Sequence, residues 1–205
     1  KNGLRLIMAP QRGARTATVL VLVGAGSEYE KKRVNGVAHF LEHMVFKGTE
    51  NRPRPGMISE ELESLGAEYN AFTSYEYTGY WAKAGKNRAE KLFELISDMY
   101  LHPIFDPKEL EKERGVIIEE INMYEDMPQR KVWDIFGELL YGNQPAGGKV
   151  AGDKQTVAKI MRGDVAGFRR NHYTPENTVA IIAGAFPEGA IRSYAREHLA
   201  SLSRR

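Results

Sequence analysis

Apolar residues along the chain recur at two periods, and the two kinds of segment are interleaved. Helical spacing of three and four runs through Ile58, Leu62 and Leu65, where Gly66 ends it. It resumes through Leu92, Phe93, Ile96, Met99 and Tyr100, which His102-Pro103 terminates, and again through Leu110, Ile117, Ile121 and Tyr124 up to Met127-Pro128. Trp133, Phe136, Leu139 and Leu140 predict a further amphipathic helix. Val157, Ile160 and Met161 give a short helical piece, Asp164 caps another running to about Tyr173, and Pro187 to Leu202 forms the last. Strand-like runs lie between them: 4–8, a β-branched and more buried 16–23, 67–73, 76–83 and 178–183. The turn from Pro10 to Gly13 predicts that the first two strands pair as a hairpin, and the glycine-rich 142–152 segment reads as a loop. Strands and helices are mixed rather than strictly alternating. The expected fold class is therefore α+β, a mainly antiparallel sheet with helices packed against it.

One segment does not fit an ordinary amphipathic pattern. From Val37 to Phe46 every residue is apolar except His39, Glu42 and His43, so a helix here has no polar face to turn toward water. Those three sit at i, i+3 and i+4, within about 100° of the helix circumference. Two imidazoles and a carboxylate side by side in an apolar helix are costly unless something compensates them. A metal ion does so, and two imidazoles one turn apart suit tetrahedral zinc, which needs at least one further protein ligand. The charged run Glu28 to Arg33 reads as a solvated loop leading to Asn35, the expected N-cap of this helix.

A second helix offers the missing ligand. Asp106 as N-cap, Pro107 at the first helical position and Glu109 two residues on mark its start. Measured from Ile117, Glu120 lies about 60° and Glu113 about 40° from the middle of the apolar stripe, and Glu119 about 160° away. Glu113 and Glu120 lean toward the core, and Glu119 toward solvent.

His39-Phe40-Leu41-Glu42-His43, followed 77 positions after His43 by Glu120 within a Glu-Arg-x-Val-Ile-x-x-Glu run, resembles the pitrilysin-type, or inverzincin, zinc metallopeptidase family, whose signature is His-x-x-Glu-His. The resemblance covers nearly the whole chain. It implies His39, His43 and Glu120 as ligands of Zn²⁺ between two helices, Glu42 as the catalytic base, and Glu113 as an auxiliary carboxylate. Glu113 lies two turns, about 10 Å, along the helix from Glu120, which suits a supporting role rather than a fourth bond to the metal. Gly66, Asn70, Ala71 and Thr73 match the family's Gly-x-x-x-Asn-Ala-x-Thr pattern, so Asn70, Ala71, Phe72 and Thr73 are the expected substrate-binding edge, where an extended peptide adds as a strand. The implied activity is zinc-dependent endopeptidase cleavage of peptides or unfolded polypeptide. The alternatives are a non-catalytic, peptide-binding half of a two-domain or two-subunit protease, and a domain whose zinc is purely structural.

The whole-chain figures narrow the classes further. A length of 205 residues with 42% hydrophobic composition supports one substantial core. The formal charge of +2, from 29 basic and 27 acidic residues, carries no nucleic-acid or membrane footprint. The absence of cysteine excludes disulfides and thiolate ligands. No apolar run is long enough for a membrane span, and the first residues show neither a signal nor a transit peptide. The expectation is one zinc-peptidase-like catalytic domain over 1–205, partnered by a second similar domain or subunit that this chain does not hold. A bacterial cytoplasm is the expected location, with the periplasm and the mitochondrial matrix left open.

Overall fold

The computed structural model describes residues 2–201. Five strands, β1 (Arg5–Pro10), β2 (Thr16–Val23), β3 (Glu68–Thr73), β4 (Thr78–Gly85) and β5 (Thr178–Gly184), form one sheet in the order β1-β5-β2-β4-β3. Every neighbouring pair is antiparallel except β1 with β5. The period-2 pattern of β2 and β5 puts Val19, Val21, Val23, Ala180 and Ile182 on one buried face, joined by Tyr80 and Ala82 of β4. Helices α1 (Val37–Val45), α2 (Met57–Ser64), α3 (Ala89–Leu101) and α4 (Pro107–Glu125) follow, then α5 (Pro128–Tyr141), α6 (Lys154–Val157), α7 (Arg162–His172) and α8 (Glu188–Glu197). Core side chains from α1, α3, α4 and α7 meet the buried sheet face in one cluster. The α+β expectation holds, and Asp106 caps α4 as read, accepting from the backbone N–H groups of Lys108 and Glu109.

The predicted β1–β2 hairpin does not form. The chain does turn between Pro10 and Thr16, but β5 enters between the two strands: Met8 pairs with Ile182 on one side, and Ile182 pairs with Val19 on the other. A strand alternating buried and half-buried along its whole length, as β5 does, gains most from two neighbours. Its partners lie more than 150 residues away in sequence, beyond the reach of local turn chemistry. Smaller differences concern helix ends. Asp164 is the third residue of α7 rather than its cap, and its carboxylate accepts from the Met161 backbone N–H at 3.0 Å. The last helix stops at Glu197 and continues as a 3-10 turn over Leu199–Ser201, while the predicted end at Leu202 lies outside the described residues.

The start of α1 is built differently from the expectation, and it matters most because α1 carries the ionisable cluster. Asn35 is not the cap. Glu30, from the run read as solvated, is 6% exposed and reaches the helix N-terminus instead. Its Oε2 accepts from the Gly36 backbone N–H at 2.7 Å and from Asn35 Nδ2 at 2.8 Å, and its Oε1 from the Ala38 backbone N–H at 2.7 Å. A carboxylate at this end also meets the positive end of the helix dipole. Gly36 itself has φ 97°, and a Cβ there would lie 2.7 Å from the Ala151 carbonyl oxygen, so both the turn and the close approach of the 149–152 loop require glycine.

Two helices show how charge and apolar surface are handled elsewhere. Arg52, buried beside α3, bonds Asp98 at 2.5 Å, Glu61 at 2.8 Å and Glu94 at 2.9 Å, so the 2% exposed Asp98 is compensated by Arg52, Thr49 and Asn51. Helix α5 forms as predicted, yet none of its residues is buried. Trp133 is 69% and Leu139 80% exposed, and Phe136 and Leu140 also face outward. Nothing among the described residues covers that face.

Burial pushes the Glu30 carboxyl up from 4.5 to about 7, against the three N–H donors that favour its charged form. A raised acid pKa means that the stability tied to this carboxyl is fully present below pH 4.5 and is lost as pH rises through about 7. Replacing Glu30 by Ala leaves the Gly36 and Ala38 donors unpaired and is expected to cost about 1–3 kcal/mol. In chemical denaturation the deficit should be larger at pH 5 than at pH 8. A deficit that grows toward pH 8 contradicts the assignment.

Candidate metal centre

Helix α1 is buried on almost every side, with Val37, Phe40, Leu41, Met44 and Val45 in the core. His39, Glu42 and His43 project toward α4 and β3. From α4, Glu113 and Glu120 approach the same place. His39 Nε2 lies 3.2 Å from His43 Nε2, and Glu120 Oε2 lies 3.6 Å from the first and 3.4 Å from the second. Donor atoms bonded at about 2.05 Å to a tetrahedral zinc are spaced by about 3.3 Å. The three separations bracket that value. Among the described residues, these three form the group of histidine and acidic side chains with the spacing to hold a metal ion, every pair of donor atoms lying within 4.8 Å.

The electrostatics suit the same donors. Burial, with His43 beside it, pulls the His39 imidazole down to about 4, so it is neutral at ordinary pH, the form that ligates metal. Burial also opposes charge on His43, but Glu113 and Glu120 outweigh it and hold the imidazole up at about 9. Its Nδ1–H donates to Glu113 Oε1 at 2.8 Å, and Glu113 Oε2 in turn meets Lys47 Nζ at 2.7 Å. That relay fixes the tautomer and aims Nε2 at Glu120. The hydrogen bond from His43 brings Glu120 down to about 2, assisted by a second from the Tyr124 hydroxyl to Glu120 Oε1. Without metal, the proton on His43 neutralises the charge of Glu120, and a cation would take its place.

Around the cluster opens a cleft of about 760 Å³, walled by α1, α4, β3 and the 149–152 loop. All the residues singled out in the sequence line it: His39, Glu42, His43, Glu113, Glu120, and Asn70, Ala71, Phe72 and Thr73. β3 is an edge strand, as the resemblance implied. Three contributors escaped the sequence reading. Lys47 follows the motif by four residues with no signal of its own, Tyr124 was read only as part of an apolar stripe, and Arg130 stacks over the Tyr124 ring at 4.0 Å to its centroid.

These features define the class: an α+β domain of the zinc-peptidase type, with its polar cluster between two helices beside an open strand edge. The chain belongs to the insulinase family, peptidase family M16, whose model matches residues 5–154; residues 159–205 match the family's "Peptidase M16 inactive domain". Within the described residues, the second match is not a separate body here, since β5 lies inside it and pairs with β1 and β2. The chain is 36% identical over 192 residues to the uncharacterized zinc protease YmxG of Bacillus subtilis, covering 94% of this chain and 47% of that protein. It is 36% identical over 201 residues to the mitochondrial-processing peptidase subunit beta of Caenorhabditis elegans, covering 98% of this chain and 43% of that one. A protease from Helicobacter pylori superposes with a TM-score of 0.92 at 26% identity, over 100% of this chain and 49% of its own. The chain thus spans about half the length of the relatives it matches.

Because Glu113 holds the His43 ring, changing it to Gln should leave the fold intact and weaken zinc binding about 10- to 100-fold, read by competition with a chromophoric chelator. Affinity equal to wild type removes Glu113 from any supporting role.

Proposed function

We propose that this chain is the catalytic domain of a zinc-dependent endopeptidase acting on peptides or unfolded polypeptide. The observation that carries it is the convergence of His39, His43 and Glu120 at tetrahedral spacing, with Glu42 on the same cleft wall but outside the donor group. His39, His43 and Glu120 would hold the ion, leaving a fourth position open. When bound, zinc supplies Lewis acidity and brings water within reach of deprotonation near neutral pH. Glu42 takes a proton from the attacking water and delivers it to the leaving amine as the C–N bond breaks. Burial raises the Glu42 carboxyl above its usual range, partly offset by Thr73 and His43, which favours a group that both accepts and returns a proton.

The substrate is read as an extended segment added to the free edge of β3. Asn70 occupies that edge, its Oδ1 accepting from the Ala71 backbone N–H at 2.8 Å, and an incoming peptide carbonyl would replace it. Phe72 lies across Gly79 of β4, where a Cβ would meet its ring at 2.3 Å, and leaves an aromatic surface beside the cleft. Helix α5 borders the same opening through Arg130 and Asp134, while its apolar face at Trp133, Phe136, Leu139 and Leu140 is exposed elsewhere on the helix. We take the complete enzyme to place a second similar domain or subunit opposite this one. Family membership by itself does not settle activity, because a relative at 34% identity over 203 residues is named as subunit 1 of the mitochondrial cytochrome b-c1 complex. A non-catalytic, peptide-binding domain is the competing reading, and the intact His39, Glu42 and His43 set argues against it.

Glu42→Gln in the full-length protein should keep about one equivalent of zinc and lose casein cleavage by at least about a hundredfold. Full activity in that variant defeats the proposal. Absence of zinc from the wild-type protein defeats it equally.

A further inference from the structure

Thr73 lies on the strand edge expected to receive substrate, and its side chain reaches from there to α1. Thr73 Oγ1 donates to Glu42 Oε2 at 2.5 Å, a charge-assisted bond across the gap between the sheet edge and α1. The second carboxylate oxygen, Glu42 Oε1, has no hydrogen bond among the described residues. The other acceptor near the hydroxyl, Thr78 Oγ1, lies farther away than Glu42 Oε2. Thr78, its direct partner on β4, is buried and donates its own hydroxyl to the Ala25 carbonyl at 2.8 Å, its oxygen remaining 3.5 Å from Thr73. A β-branched residue is also stiff at χ1, so the hydroxyl holds its direction.

From this geometry we propose that Thr73 is a positioning residue for the Glu42 carboxylate. The inference rests on Glu42 being the group that moves the proton. A glutamate on a helix has three rotatable bonds, and a base needs one oxygen within hydrogen-bond reach of the proton it takes. Thr73 ties down Oε2 and leaves Oε1 as the free oxygen, facing the cleft with a defined orientation. Thr73 is also the last residue of β3, the strand whose outer edge would receive the peptide. The strand that docks substrate therefore also sets the base, and a shift in one is felt by the other.

The test compares Thr73→Val, which keeps the shape and removes the hydroxyl, with Thr73→Ser, which keeps the hydroxyl. Both are measured in the full-length protein on a quenched fluorescent peptide drawn from a cleavage site mapped in casein. Thr73→Val is expected to lower kcat about 10- to 100-fold with KM within about twofold and zinc content unchanged, and Thr73→Ser to recover most of kcat. Should the valine variant fold poorly by thermal melting, Thr73→Ala serves with the same expectation. A raised KM at unchanged kcat shows a substrate grip instead and overturns the proposal, as does a serine variant no better than valine. Glu42→Gln assayed in parallel separates the two levels. If it abolishes cleavage while Thr73→Val is unimpaired, positioning alone fails; if it retains cleavage, the base assignment fails with it.

Discussion

An apolar helix that carries two imidazoles and a carboxylate on one flank has to find compensation for them, and most of the structure around α1 supplies it. Glu113 and Glu120 reach across from α4 to His43, Lys47 closes the relay behind Glu113, and Thr73 takes one oxygen of Glu42. His43, Glu120 and Glu42 each have a partner that fixes the direction of one polar atom, while His39 Nδ1 is buried without one. The residual imbalance, a proton held on His43 between two carboxylates, is what a divalent ion would replace.

The same economy holds α1 in place. Its N-terminus ends on a buried carboxylate rather than on water, and its first glycine lies directly under the 149–152 loop. The cleft wall, the helix start and the ionisable cluster are thereby one mechanical unit. Opposite them, β5 pairs in the interior between β1 and β2, and β3 ends the sheet with its outer side unpaired. An unpaired edge is a hazard for a small protein. Here Asn70 occupies one of its donors, and the cleft runs alongside it.

Helix α5 is the helix whose apolar face stays uncovered among the described residues. Its apolar residues follow helical spacing as faithfully as those of α3, yet they remain exposed while those of α3 are buried. Apolar faces of this size are usually covered by a partner or a ligand, and the relatives that match this chain are about twice as long.

How much of this was legible beforehand depends on the range of the interaction. The identity of the strands and helices, the cap at Asp106, and the gathering of His39, Glu42 and His43 on one helical flank follow from periodicity and short-range chemistry. These are properties of a few consecutive residues. So is the inward lean of Glu113 and Glu120, which helix geometry alone gives to within a turn. Other features depend on residues far apart in the chain: β5 between β1 and β2, Glu30 rather than Asn35 at the start of α1, Lys47 behind Glu113, and the Thr73 hydroxyl on Glu42. A charged residue in a charged run looks solvated until a helix end is placed against it, and a threonine on a strand edge looks free until a carboxylate from another element comes within 2.5 Å. Which donors the site contains can be read from the residues alone; which of them face one another comes from the fold, because pairing distances across a core are set by packing and not by order along the chain.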